Sequence, residues 1–489
     1  LFGGFHGKVN AQARNARHGG NRLADIIAFN NEYRPNKVIH RKHVFGDQTA
    51  RPIGLAQAAH AGCGEGAFCH GFNSYSLSCL HSPPKRGRQH ADALALPMKA
   101  RHKLAQWRIA MLSEEQIAIQ DMARGFAAEK LAPFAMQWDE EKFFPVDTLK
   151  EMAGLGFAGI YLQEEHGGTG LSRFDAALIF EALSGGCTST AAFMTIHNMA
   201  SWVIDSFGSD AQRAKYLPRL TSMDLIASYC LTEPGSGSDA GAMRSKAVRD
   251  GDDYVLNGTK AFISGSGVSD IYVAMVRTVE AGSENGAGGV SCFIIEKGTP
   301  GLSFGANEKK MGWNNQPTAQ VIFEDCRVPV ENRIGAEGEG FKFAMMGLDG
   351  GRLNIAACSL GTAQRAFDKA LAYAKDREQF GQSIAEFQAI QFKLADMATD
   401  LEAARLMLYA AAKSLDKGSP EKTSKSAMAK RFVTDTCFNV ANEALQIHGG
   451  YGYLQDYEVE RMVRDLRVHQ ILEGTNEIMR VIIARELLK

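Results

Sequence analysis

The period of apolar positions changes twice along this chain, and the changes mark its expected parts. From Ser113, apolar residues at Ile117, Met122, Phe126 and Leu131, then Phe144, Leu149, Met152 and Leu155, keep helix-compatible spacing to about residue 222, broken by Gly-rich turns at Gly167 and Gly185. Ser113 followed by Glu114 to Gln116 reads as an N-cap with acidic and amide groups where the positive helix end favours them. Between about 227 and 335 the apolar runs shorten to strand length. Asp250-Gly251 and Asn257-Gly258 flank Tyr254 to Leu256 as hairpin turns would, and Ile271 to Val276, Ser291 to Ile295 and Gln320 to Phe323 are further candidate strands. The Gly-rich run 281–289 reads as an exposed loop. No helical stretches alternate with these strands, so an antiparallel sheet or barrel is expected. After Gly340 helical spacing returns. Phe387, Ile390, Leu394, Met397, Leu401 and Ala404 describe a long bundled helix, and Phe432, Cys437, Phe438, Ala441 and Leu445 a second that Gly449-Gly450 stops. The fold class is therefore α+β: a helical domain over 113–226, a β domain over 227–337 and a helical bundle over 338–489.

Residues 1–108 fit none of these periods. They hold 16 Lys/Arg against 5 Asp/Glu and nine of the thirteen histidines, so the net charge of -1 conceals two chemically different parts. Such a composition predicts a segment with no packed core. A transit peptide, a nucleic-acid-binding arm and translated sequence upstream of a start at Met98 or Met111 compete here, and the third is favoured. Transit peptides are shorter and begin with methionine rather than Leu1. The basic charges are scattered among Gly, Ala and His, so nucleic acid is not an expected partner. No run of about eighteen apolar residues exists to span a membrane. Nine unevenly spaced cysteines suggest a reducing compartment, and Cys63, Cys69, His70, Cys79 and His81 match no paired zinc spacing, so no metal is expected. A bacterial source, the favoured one, would place the protein in the cytoplasm, and a eukaryotic one in the mitochondrial matrix.

Chemistry concentrates in Tyr229-Cys-Leu-Thr-Glu-Pro-Gly-Ser-Gly-Ser-Asp239, a Gly/Ser loop whose bare backbone N–H groups could approach a phosphate or a ring edge. Gly235, Gly237 and Ala240 imitate a dinucleotide fingerprint, but that fingerprint needs a helix next, and Arg249 to Asn257 reads as a hairpin. Taken alone, the loop serves equally well as a structural turn.

This loop is followed in order by Lys260-Ala-Phe-Ile-Ser264, Phe323-Glu-Asp-Cys-Arg-Val-Pro329, Arg377-Glu-Gln-Phe-Gly381, Gln446-Ile-His-Gly-Gly450 and Glu473-Gly-Thr475. In that order and register the chain over 111–489 resembles the acyl-CoA dehydrogenases. The resemblance implies an α-helical domain, a β domain and a C-terminal four-helix bundle in a homotetramer, with FAD as cofactor. It implies that Tyr229, Leu231, Thr232, Gly237 and Ser238 line the flavin, with Phe262, Ile263 and Ser264 against its ring. Arg377, Phe380, Phe387, Gln388, Gln446, Ile447, His448, Gly449 and Gly450 would hold its diphosphate and adenine, some in a neighbouring subunit, and Thr475 and Glu477 complete the expected cofactor set. Ser238, Asp349, Arg352 and Arg485 would meet the CoA substrate.

The resemblance also assigns the chemistry. Glu473 would take the α proton of a CoA thioester while hydride leaves the β carbon, and the thioester oxygen would be held by the base's own N–H and a flavin hydroxyl. An apolar site closing over Glu473 should raise its pKa towards the range suited to a general base. Some members, including those acting on isovaleryl-CoA, carry the base where this chain has Gly351, which cannot serve. Gly265, the stretch Glu296 to Phe304, Gly312-Trp-Asn314, Gln316-Pro-Thr318 and Gly350-Gly-Arg352 look most like members acting on isobutyryl-CoA, in valine breakdown, with electrons passed to electron-transferring flavoprotein. A 2-methylbutyryl- or butyryl-CoA preference, an oxygen-reducing oxidase, and a non-catalytic flavin or acyl-CoA binding subunit remain alternatives.

Overall fold

The computed structural model describes residues 112–278 and 286–489. The extension over 1–108, its Cys/His cluster and most of the Gly-rich run lie outside the described residues, and 286–289 form a 3-10 turn. Ser113 caps α1 (Glu114–Phe126) reciprocally, its hydroxyl accepting from the Gln116 N–H at 3.2 Å while its own N–H donates to Gln116 Oε1 at 3.1 Å. Two groups that no helix can pair internally are thereby satisfied. Then come α2 (Ala135–Glu141), α3 (Val146–Gly154), α4 (Arg173–Ser184), α5 (Thr188–Phe207) and α6 (Asp210–Thr221). The first half of α5 joins the core of the helices, and its second half packs on the sheet.

The sheet comprises β1 (Ala227–Cys230), β2 (Lys246–Asp250), β3 (Asp253–Ser264), β4 (Ile271–Arg277), β5 (Val290–Glu296), β6 (Leu302–Phe304), β7 (Thr318–Pro329) and β8 (Arg333–Ile334), ordered β6-β7-β3-β2-β4-β5-β8 with β1 also on β4. Most pairings are antiparallel as expected, but β1 and β2 each run parallel to β4. Every residue of β4 is buried, because Ile271, Val273 and Met275 face the helices while Tyr272, Ala274 and Val276 face Tyr254, Phe293 and Phe323. Asp250-Gly251 does turn β2 into β3. Asn257-Gly258 does not turn the chain; it lies inside β3, where the register with β7 slips at Gly258. There φ is +145°, and an added Cβ would meet Ser245 at 2.3 Å, so the glycine makes a bulge and a close approach.

The C-terminal part holds α7 (Gly340–Asp376), α8 (Gln388–Asp416), α9 (Lys422–His448), α10 (Val459–Arg467) and α11 (Asn476–Leu487). α7, α8 and α9 pack lengthwise, α11 lies on α9, and α4 packs against α7 and α8. At Gly361 a Cβ would stand 1.8 Å from the Glu181 carbonyl, so this residue sets how closely α7 and α4 approach. Between α7 and α8, the strands Glu378–Gln379 and Gln382–Ser383 form a hairpin whose tip, Phe380 and Gly381, has positive φ at both positions.

Candidate active site

One wall of the site grows from β1. His197 of α5 accepts the Ala227 N–H at Nδ1, 3.1 Å, which leaves Nε2 protonated to donate to the Leu220 carbonyl at 2.9 Å. Burial pushes this imidazole down to about 4, so it works as a neutral strut that fixes where Tyr229 and Leu231 emerge. Beyond β1 the loop is pinned from beneath. Buried Lys260 donates to Glu233 at 2.7 Å and to the Leu231 carbonyl at 3.2 Å, and the Glu233 carboxylate accepts the N–H groups of Arg244 and Ser245 at 2.6 and 3.0 Å. Gly235 and Gly237 stay exposed, with open space where a Cβ would be. The β3–β7 register slips again between Lys260 and Ile263. That bulge carries Phe262, at φ +58° and 65% exposed, out of the ladder onto the cavity wall.

The opposite wall comes from α7, α9 and the turn before α11. Glu473 (φ +56°) and Gly474 (φ +88°) both have left-handed backbone, and this reversal puts the Glu473 side chain on the cavity wall before Thr475 caps α11 through the Ile478 N–H. A non-glycine residue held there stores roughly 1–3 kcal/mol of strain, as functional positions often do. Glu473 Oε2 is buried and has no hydrogen-bond partner among the described residues. Burial raises the carboxyl to about 7, against the opposing charges of Arg352 and Lys430. Room for it exists because residue 351 is glycine: a Cβ there would meet Oε2 at 2.5 Å and Cδ at 2.9 Å. A side chain at 351 and the Glu473 carboxylate thus claim the same space. Arg352 Nη1 pairs with Asp349 Oδ1 at 2.6 Å, and Asp349 Oδ2 accepts from Thr423 at 2.7 Å, so both Asp349 oxygens already have protein partners.

The two walls enclose a cavity of about 770 Å³. It brings together Tyr229, Leu231, Thr232, Gly237, Ser238, Phe262, Ile263, Asp349, Arg352, Glu473 and Arg485. Ser264 is outside that lining and gives its carbonyl to Ser228 at 2.6 Å. Thr475 caps α11, and Glu477 is exposed in its first turn. Arg377, Ile447, His448, Gly449 and Gly450 line a second cavity of about 460 Å³ near the hairpin. Phe380, Phe387, Gln388 and Gln446 line neither. The sequence reading missed Phe341, Met345 and Leu348 on the α7 wall of the cavity, although their spacing with Asp349 and Arg352 marks one face of α7. It also missed Lys430.

Models of the acyl-CoA dehydrogenase N-terminal, middle and C-terminal domains match residues 113–224, 228–326 and 338–488. The chain belongs to the acyl-CoA dehydrogenase family and is an FAD-dependent oxidoreductase acting on a CH–CH bond. Among named relatives, it is 57% identical to the mitochondrial isobutyryl-CoA dehydrogenase of Dictyostelium discoideum, over 77% of this chain and 90% of that protein. The butyryl-CoA dehydrogenase of Megasphaera elsdenii superposes with a TM-score of 0.74 at 38% identity, covering 77% of this chain and 99% of that one. An FAD complex of PigA superposes equally well, with a TM-score of 0.74 at 33% identity over 77% and 98% of the two chains. The large cavity fits that cofactor: it offers an apolar slot beside Phe262 and Ile263, bare backbone at Gly237, and the buried Tyr229 hydroxyl, which has no partner among the described residues.

Proposed function

We propose that this enzyme converts isobutyryl-CoA to methacrylyl-CoA and passes the electrons to electron-transferring flavoprotein. The observation that carries this reading is Glu473, an enclosed carboxylate with an unpartnered oxygen, displaced to about 7 and facing the Tyr229–Phe262 wall across one cavity. Such a group can take a weakly acidic α proton near neutral pH because neither state of the proton is strongly favoured beforehand. FAD, when bound, supplies the two-electron acceptor for the hydride that leaves the β carbon. The chain's own task is to hold the thioester so that its α carbon meets Oε2 and water stays out. Tyr229, Leu231, Thr232, Gly237, Ser238, Phe262 and Ile263 would hold the flavin, and Ser238, Arg352 and Arg485 the CoA portion, with Asp349 steadying Arg352.

The 57% identity to a named isobutyryl-CoA dehydrogenase supports a short branched acyl group. One methylene is worth only about 1–3 kcal/mol of discrimination, so the preference among C4 and C5 acyl groups must be measured. Electrons going to a flavoprotein and assembly as a homotetramer follow the family pattern. Apolar rings left open at the hairpin tip and on α8, Phe380 at 95% exposed and Phe392 at 59%, suit a second subunit whose cofactor Arg377 and the Gln446–Gly450 turn would reach. The test is the absorption spectrum of the purified enzyme before and after isobutyryl-CoA, followed by a panel with butyryl-, 2-methylbutyryl- and isovaleryl-CoA. Bleaching of the flavin with the highest kcat/KM on isobutyryl-CoA is expected. A higher value on butyryl-CoA would reassign the substrate, and rapid peroxide release without a carrier would make the protein an oxidase.

A further inference from the structure

Lys430 has no solvent exposure, yet among the described residues it makes no ion pair with a carboxylate. Its Nζ donates to the Gly474 carbonyl at 2.8 Å and to Asn476 Oδ1 at 2.8 Å, both neutral acceptors. A buried ammonium costs several kcal/mol, and an apolar side chain of similar volume would fill the same place without that cost. The charge therefore calls for a reason beyond packing. We propose that Lys430 is a positioning residue for the base, a buried cation that clamps the Glu473–Gly474 turn by the Gly474 carbonyl and so sets where the Glu473 carboxylate stands.

This inference rests on Glu473 being the base. Its geometry is a pair of clamps: Arg352 Nε reaches the Glu473 carbonyl at 3.4 Å while Lys430 holds the next carbonyl. Two successive left-handed residues would relax without such restraint. Neither cation spends its hydrogen bonds on the carboxylate, so Oε2 stays free to receive a proton while both charges act on it through space. Other charges facing Lys430 are Asp435 on its own helix, Glu477 from α11 and Arg352 from α7. His469, also nearby, is pushed down to about 3 by burial and carries no charge at neutral pH. Burial pushes Lys430 itself down to about 7, with Glu473 the largest opposing influence, so each of the two groups favours the charged form of the other.

The experiment uses the FAD-loaded enzyme and three variants at this position. Lys430→Met removes both clamp and charge, Lys430→Gln keeps a donor for the Gly474 carbonyl without the charge, and Lys430→Arg keeps the charge. In Lys430→Gln the acid limb of kcat/KM, and of the single-turnover rate of flavin bleaching, should move up by about one pH unit, a loss of about tenfold below neutral pH that recovers under alkaline conditions. Lys430→Met should add a fall in kcat that alkali does not restore, with KM little changed, and Lys430→Arg should keep the acid limb in place. An unmoved acid limb in Lys430→Gln overturns the proposal even if Lys430→Met fails to fold. Glu473→Gln separates the two ideas: if it still turns over, the base assignment fails, whereas an inert Glu473→Gln beside an unmoved Lys430→Gln profile sinks only the role of Lys430.

Discussion

Two glutamates, one buried and one half-buried with its Oε2 enclosed, each stand beside a buried lysine and are treated in opposite ways. Glu233 receives a direct 2.7 Å bond from Lys260 and two backbone N–H groups, and although burial pushes its pKa up, the lysine charge and these donors outweigh burial and hold it below its usual value. Glu473 has Lys430 and Arg352 close by, yet their bonds go to backbone carbonyls, and burial wins, raising it to about 7. Burial and a nearby cation are common to both. What differs is whether hydrogen bonds reach the carboxylate oxygens, which makes the first a structural pin for the loop after β1 and leaves the second free to do proton chemistry.

Disabling each glutamate's neighbourhood should give opposite phenotypes. Glu473→Gln should lower the single-turnover flavin reduction rate by about 10⁴-fold, the upper range for a general base, with FAD content unchanged and no loss of thermal stability at neutral pH. A loss of stability with the rate preserved would erase the contrast. Lys260→Met should do the reverse, leaving Glu233 buried without its cation and destabilising the enzyme by about 3–5 kcal/mol in chemical denaturation, with FAD retention falling alongside. Gly351→Ala comes next. The new methyl would push the Glu473 carboxylate aside, a shift that costs the fold little because the atom displaced ends a flexible side chain, but about 10²-fold in kcat is expected from misplacing a base by about 1 Å. The double variant Gly351→Glu with Glu473→Gly should exceed Glu473→Gly alone in kcat, since the carboxylate then approaches from the helix that previously made room for it.

How much of this was legible in the sequence depends on whether the deciding contacts are local. The Ser113 cap and the Asp250-Gly251 turn could be read directly because the residues that make them are neighbours in the chain. Asn257-Gly258 carries the same local signal as a turn, but Ser245 packed across the sheet makes it a bulge. The parallel pairing of β1 with β4 joins residues such as Ala227 and Ile271 that no local pattern connects. On α9 the stripe read from Phe432, Cys437, Phe438, Ala441 and Leu445 is buried at Cys437 and Ala441 and half-buried at the other three, because the buried face runs through Val433, Cys437, Ala441 and Ala444. Lys430 lies in phase with Val433 and Cys437, so the signal for a buried lysine was present but hidden by the expectation that lysines face water. Glu473 was legible only through its motif. Its raised pKa depends on what surrounds the carboxylate, which periodicity does not report.

The smallest effect is also the most direct measure of the contrast, because the two glutamates bend stability in opposite directions with pH. Glu473 is raised from 4.5 to about 7 in the fold, so the native state holds a proton that the unfolded chain has already released between those values. Its contribution is full below about 4.5 and is lost as pH rises to about 7, amounting to about 3 kcal/mol. Glu233 is lowered, so its contribution is present above the ordinary glutamate value and disappears as pH falls through its folded pKa. Denaturation of the wild type against Glu473→Gln from pH 4.5 to 7.5 should therefore show the wild type losing ground to the variant as pH rises, while the deficit of Glu233→Gln should stay nearly level over that interval and shrink only as pH falls below about 4.5. Catalysis should follow Glu473 with the opposite sense to its stability term, kcat/KM falling about tenfold for each pH unit below 7 as the base is protonated. A stability difference between wild type and Glu473→Gln that stays flat across this range would mean the carboxylate is hydrogen-bonded after all, and the distinction between the two glutamates would collapse.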